Sequence, residues 1–173
     1  MQESANYLHF KELGGLELLK AQFQRKQFSK HAHEGYCIGV IEDGAQSFYR
    51  SGKLHIAPKG DIILVNADEI HTGSSAVETG WKYRAIYPTP EMILDLSRDF
   101  FTTKNAVPWF SDAVIHDLGL ARQLVFLFDL FEQGEDTLLK ESLYLTTLAR
   151  LIYCYGRAKL SPINTPEMRK KLN

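Results

Sequence analysis

Residues 58–71 read PKGDIILVNADEIH. The stretch opens on Pro58-Lys59-Gly60, a turn composition. Residues 61–65 follow as a short apolar run, and a second polar segment then leads to Glu69-Ile70-His71. Four or five apolar residues bounded by turn formers are the length of a buried strand, too short for a helix.

The same grammar extends in both directions. Residues 36–41, 45–50 and 53–56 upstream and 81–87 downstream all read as strands. Between them sit the turn formers Asp43-Gly44, Ser51-Gly52 and Thr72-Gly73-Ser74-Ser75. Short strands at this spacing predict an antiparallel sandwich or small barrel. Beyond Pro88 the period becomes helical. Thr89 can cap a helix with Pro90 at its first position, running to about Phe101. A second helix is expected from near Asp117 to before Gly134, and a third over 137–155 with Gly156 as its C-cap. The fold class is therefore mainly β, then α.

The chain has 173 residues, 20 basic and 21 acidic, for a formal charge of -1, so it carries no overall electrostatic footprint for nucleic acid. Two cysteines, Cys37 and Cys154, without a CxxC spacing argue against a disulfide scaffold or a thiolate zinc site. No apolar leader and no run of 18 apolar residues occur, so no membrane partner is expected and a cytoplasmic location fits.

His31 and His33 form an HxH at strand spacing, which turns both imidazoles to one face. His71 follows a strand and a turn, and in a sandwich the three can converge. Neutral imidazole is a good ligand for a divalent transition metal and a good hydrogen-bond partner for a polar effector. Along 81–87, Trp81, Tyr83 and Ala85 share one face and Lys82, Arg84 and Ile86 the other. His31, His33 and His71 are thus candidate ligand-binding residues able to hold a metal, Tyr36 beside the HxH is a further candidate, and Trp81 and Tyr83 join them where a resemblance described below implies that their face turns inward. The remaining histidines read as surface or structural, and Tyr87 as core. Residues 1–15 are a candidate arm over the pocket mouth, with Tyr7, Leu8 and Phe10 available to close it.

On the helices, Leu120, Leu124 and Leu127, then Leu138, Leu145, Leu148 and Ile152, recur at coiled-coil-like spacings. They can serve a partner helix or simply pack on the chain's own sheet. The expected organisation is a barrel with an N-terminal arm over 1–88, a helical dimerisation unit over 89–156, and a linker over 157–173.

The HxH, Gly44 and His71 resemble the two cupin motifs. The slot that holds a glutamate in the first of them falls on Ile38, or on Cys37 at the shorter spacing. An enzyme-like three-His-one-Glu centre is therefore incomplete. A finer resemblance is to AraC-type sensor domains. It rests on Gly52, Pro58-Lys59-Gly60-Asp61, the apolar strand, Glu69-Ile70-His71, and a later strand carrying Trp81. That resemblance implies a cupin-like jelly-roll barrel followed by a helical dimerisation unit. It implies sensing of a small polar effector in the barrel and no enzymatic activity, with no cofactor required. It also implies a homodimer, and DNA contact only through a C-terminal helix-turn-helix domain absent from these 173 residues. Two other readings stand beside it: a stand-alone metal-dependent cupin enzyme, and a cupin-like dimerisation module without ligand.

Overall fold

A computed structural model describes residues 2–98 and 106–160. Eight strands come first: β1 (Ser4–Phe10), β2 (Leu16–Phe23), β3 (Phe28–His31), β4 (Cys37–Arg50), β5 (Lys53–Pro58), β6 (Ile62–Val65), β7 (His71–Ser75) and β8 (Trp81–Ile86). Helix α1 (Pro90–Arg98), strands β9 (Ala106–Phe110) and β10 (Val114–Ile115), helices α2 (Leu118–Gln133) and α3 (Thr137–Tyr155) and strand β11 (Gly156–Leu160) complete the order.

All pairings are antiparallel. One sheet runs β1-β2-β8-β4-β6-β10; β4 also pairs with β5 and β7, and β7 with β3. The long strand β4 therefore belongs to both walls of a barrel. Asp43-Gly44 is not a turn. The β4–β8 register shifts between Ile41 and Asp43, a bulge that bends the strand so that it continues into the second wall. Gly44 is required there: its φ is +67° and a Cβ would stand 1.9 Å from the Gly80 carbonyl oxygen. Ser51-Gly52 does make the expected two-residue hairpin, with both φ positive and Arg50 opposite Lys53.

Alternation along the strands sorts the apolar residues into two cores. Leu19, Ala21, Phe23, Cys37, Ile41, Ile63, Val65, Trp81, Tyr83 and Ala85 face the barrel interior. Leu16, Leu18, Tyr36, Ile38, Val40, Ile62, Leu64 and Ile86 face outward, where the helices cover them. Arg84 fastens this second layer: it pairs with Glu42 on β4 and with Asp129 and Glu132 on α2, and Lys20 joins Glu132 at 2.7 Å. Glu42 is thus engaged in an ion network.

Other expectations shift. Residues 72–75 form strand β7, because Ser74 and Ser75 take places opposite Ser47 and Gln46 of β4. Residues 4–10 are a paired edge strand, in register with β2 along its whole length. Residues 156–160 pair with β9, so the chain enters a strand where a linker was expected at 157. Strand β10 returns from the helical half to pair with β6. Helices α2 and α3 take the expected spans, their starts capped by Asp117 and Asp136 accepting from Leu120 N and Leu139 N. Phe101 and residues 161–173 lie outside the described residues.

The leucines of the two seams divide. Leu120, Leu124, Leu127, Leu148 and Ile152 are all buried in this chain's own core, where α2 covers the sheet and α3 packs on α2. Leu138 and Leu145 differ, with 73% and 40% of their surfaces exposed.

Candidate functional site

The barrel interior is not filled. A cavity of about 270 Å³ lies between the walls. His31, His33 and His71 share one side of it, and their potential ligand nitrogens lie within 4.8 Å of one another. The geometry follows from pairing: His31 ends β3 directly opposite His71 at the start of β7. His33 follows two residues later on the same face.

The ring tautomers are set by the backbone. Nδ1 of His31 lies 2.8 Å from the Ser29 carbonyl oxygen, and Nδ1 of His71 lies 3.0 Å from that of Glu69. A carbonyl only accepts, so each Nδ1 carries the proton and each Nε2 keeps a free lone pair. Burial lowers the pKa of His71 to about 4; the hydrogen bond to the Glu69 carbonyl opposes this, and the His31 and His33 imidazoles add to it. Burial, then the neighbouring His31, lowers that of His33 as well. Both are therefore neutral near pH 7, the form that ligates metal or accepts a hydrogen bond. Three convergent imidazole nitrogens, with Nε2 free on His31 and His71, fit a divalent transition metal, with remaining positions left to water or ligand.

The loop before His71 is braced. Glu69 accepts from Arg50 Nε at 2.6 Å and from Asn66 Nδ2 at 2.9 Å. Asn66 also exchanges hydrogen bonds with the backbone of Phe110, and the Arg50 guanidinium donates to the Leu64 and Phe110 carbonyls. Arg50 is thus a structural brace, and Arg84 is committed to α2. Neither lines the cavity.

Of the six candidate ligand residues, the structure brings four together: His31, His33, His71 and Tyr83 line the cavity. Tyr36 does not. It shares the outward parity of Ile38 and Val40, and its hydroxyl donates to the Pro108 carbonyl at 2.7 Å. Trp81 has the inward parity but lies at the closed end. There it is fully buried, its ring stacked 6.4 Å from that of Tyr83 and tilted against that of Phe23 at 5.4 Å, and it is not a lining residue. Parity assigns a face, not a depth along the strand.

Sequence reasoning missed several lining residues. Phe23 and Leu19 on β2 carried a readable signal, alternating with Lys20 and Gln22. Tyr87, read as core, lines the cavity beside Cys37, as do Phe28, Phe48, Gln46 and Lys26. Tyr7 and Ala5 reach it from β1, whereas Phe10 packs on Phe131 and Leu8 faces out. The glutamate slot of the cupin motif is now resolved between its two candidates. Ile38 is buried on the outer face and Cys37 faces the cavity. Burial pushes the Cys37 thiol up to about 12 despite a hydrogen bond with Tyr87, so it is a neutral thiol and not a thiolate ligand. Gln46 presents an unusual atom: its Oε1 is buried without a hydrogen-bond partner.

Residues 13–148 match the family model of the AraC-like ligand binding domain. The chain belongs to that family. Among relatives of this AraC-type domain is the uncharacterized HTH-type transcriptional regulator YbfI of Bacillus subtilis. The two are 28% identical over 148 residues, 85% of this chain and 54% of YbfI. The chain thus spans about half the length of the curated relative it matches. Solved structures similar to the AraC-type domain are cupin barrels. One is an RmlC-like cupin with a double-stranded β-helix fold from Methanocaldococcus jannaschii (12% identity, TM-score 0.46, 51% of this chain and 81% of that one). Another is a cupin 2 conserved barrel domain protein from Leptotrichia buccalis (21% identity, TM-score 0.45, 51% of this chain and 41% of that one).

Proposed function

We propose that this AraC-type domain is the effector-sensing and dimerising half of a bacterial transcription regulator, with a small polar molecule bound in the barrel cavity. The observation that carries the reading is the cavity itself: an unfilled interior where three imidazoles converge opposite tyrosines. Apolar walls with a few polar groups are the ordinary make-up of a ligand pocket. Likeness to an HTH-type regulator supports DNA contact through a helix-turn-helix domain outside these 173 residues. Such a regulator works in the cytoplasm; no described helix is long and apolar enough to cross a membrane.

A metal is compatible with this role. His31, His33 and His71 would hold it, and it would offer a Lewis-acidic centre to a ligand oxygen or nitrogen. Catalysis is not part of the proposal, because Cys37 stands where a cupin enzyme of this motif has its carboxylate. Elemental analysis of untagged protein, with a His31→Ala/His33→Ala control, reads occupancy directly.

A thermal-shift screen of sugars, amino acids, amines and aromatic acids tests effector binding. A bound effector raises stability by about 2.7 kcal/mol at a hundredfold excess over its dissociation constant. The response should weaken at least about tenfold, or 1.4 kcal/mol, in His71→Ala and Tyr83→Ala. An effector that binds both variants as tightly as the parent chain places the site elsewhere.

Self-association is the second part of the proposal. Its surface is the exposed side of α3, where Leu138, Leu139 and Leu145 stand in solvent. These are spaced to meet a second copy of the same helix.

A further inference from the structure

We propose that the cavity selects an organic anion, a carboxylate carried on a small apolar body, over cations and neutral analogues. The inference rests on the reading of the cavity as the effector site and names the chemical class of its occupant.

The argument is a charge inventory. Among the described residues lining the cavity there is no aspartate or glutamate. The one lysine is Lys26, whose ammonium stands 5.6 Å from the centre of the Phe28 ring at the exposed rim. A cation entering this space would lose water and meet no counter-charge, an arrangement that buried groups avoid.

An anion gains nothing from the Nε2 lone pairs of His31 and His71 or from Gln46 Oε1, which are acceptors, but it finds one cation and several donors elsewhere on the wall. Lys26 supplies positive charge at the rim. Tyr7 and Tyr83 line the cavity and each has a hydroxyl able to donate, whereas the Tyr87 hydroxyl is already bonded to Cys37. Thr72 Oγ1 accepts from the Tyr49 backbone N–H at 2.9 Å, which leaves its own proton free to donate. Glu3 shares the Lys26 charge, but its carboxylate is also held by the backbone. One of its oxygens accepts from the backbone N–H groups of Gln24, Arg25 and Lys26 at 2.9, 2.7 and 2.9 Å.

The apolar part of the ligand is defined by the same walls. Phe23, Phe28, Phe48, Leu19 and Val65 surround the space. A volume of about 270 Å³ admits one substituted ring or a short branched chain.

Benzoate, benzamide and benzylamine share a ring and differ in charge, so they test the proposal on the 173-residue chain by calorimetric or thermal-shift titration. Benzoate should bind saturably and at least about tenfold more tightly than the other two. Lys26→Glu, an exposed change that leaves the fold intact, should weaken benzoate by about tenfold through charge reversal at the rim and leave benzamide unchanged. Benzylamine or benzamide binding as well as benzoate would overturn the anion proposal while leaving the cavity as the effector site. Benzoate failing to bind would overturn it too. The cavity reading itself fails only if effectors found by the wider screen ignore His71→Ala and Tyr83→Ala.

Discussion

Nδ1 of His71 lies 3.0 Å from the backbone carbonyl of Glu69, and that contact ties the ligand face of the imidazole to a buried ion pair. The Glu69 carboxylate is held by Arg50 Nε at 2.6 Å, and Arg50 is almost completely shielded from solvent. Replacing Glu69 by Gln would leave the guanidinium buried without its counter-charge. Breaking one side of a buried pair costs about 3–5 kcal/mol. Urea unfolding should therefore show a loss of that size for Glu69→Gln. A loss below about 1 kcal/mol would mean that the Leu64 and Phe110 carbonyls alone satisfy Arg50.

The histidines give stability a pH dependence whose sign follows from their burial. His71 titrates at about 4 in the folded chain against an ordinary value of 6.5. Between those values the unfolded chain binds the proton and the folded chain does not, so acid favours unfolding. Stability should rise as pH increases from about 4 to 6.5 and level off above. His33, also lowered by burial, adds in the same direction. Glu69 acts at lower pH. Burial opposes ionisation there, but the hydrogen bonds from Ser51, Arg50 and Asn66 prevail and lower its pKa, so its contribution is lost as pH falls below the ordinary carboxylate range. Chemical unfolding across pH 4–8 should show a shallower slope in His71→Gln. An unchanged slope would assign the dependence to other groups.

What could be read from the sequence and what could not divides along physical lines. Helices α2 and α3 were legible because aspartate caps and a 3.6-residue period are local signals. The two cores were legible in the strands whose apolar residues alternate, and the parity of Trp81, Tyr83 and Ala85 was correct. Strand β1 was not legible, since an edge strand with one exposed face carries little alternation; six of its seven residues are exposed. Strand β7 hid behind the glycine and serines of 72–75, whose strand conformation comes from pairing with β4, not from propensity. The convergence of His31, His33 and His71 needed only strand spacing and a motif. Tyr36 was misplaced because closeness in sequence to the HxH says nothing of which face it takes. The leucine seams carried a true period and an ambiguous partner, and the chain's own core took most of them.

Gln46 offers a trade between stability and binding. Its Oε1 is buried and unpartnered, and the residue is only 8% exposed. An unsatisfied buried acceptor costs about 1–3 kcal/mol. Gln46→Leu, similar in size, should raise the stability of the ligand-free chain by about 1 kcal/mol. It should also weaken any ligand that donates a hydroxyl or N–H at that point, so 3-hydroxybenzoate should lose more affinity than benzoate. A destabilised Gln46→Leu would show instead that the amide is satisfied in solution.

The two kinds of leucine on the helices make the dimer proposal separable from folding. Leu124 lies in the core between α2 and the outer face of the sheet, whereas Leu138 and Leu145 face solvent on α3. A glutamate at 124 would have to bury an ionised group, so Leu124→Glu should unfold the domain or cost well over 3 kcal/mol. Glutamate at 138 and 145 costs the folded monomer little, because both positions already face water. In a dimer built on this face, the same glutamates lose hydration at the contact and meet like charges from the second copy. Sedimentation equilibrium of the parent chain should show a concentration-dependent dimer. Leu138→Glu/Leu145→Glu should raise its dissociation constant at least about tenfold, a 1.4 kcal/mol effect, with an unfolding midpoint close to that of the parent. A parent chain that stays monomeric at high concentration would remove α3 as a self-association surface. A dimer indifferent to both glutamates would move the interface off α3, to another exposed apolar side chain such as Phe126 on α2.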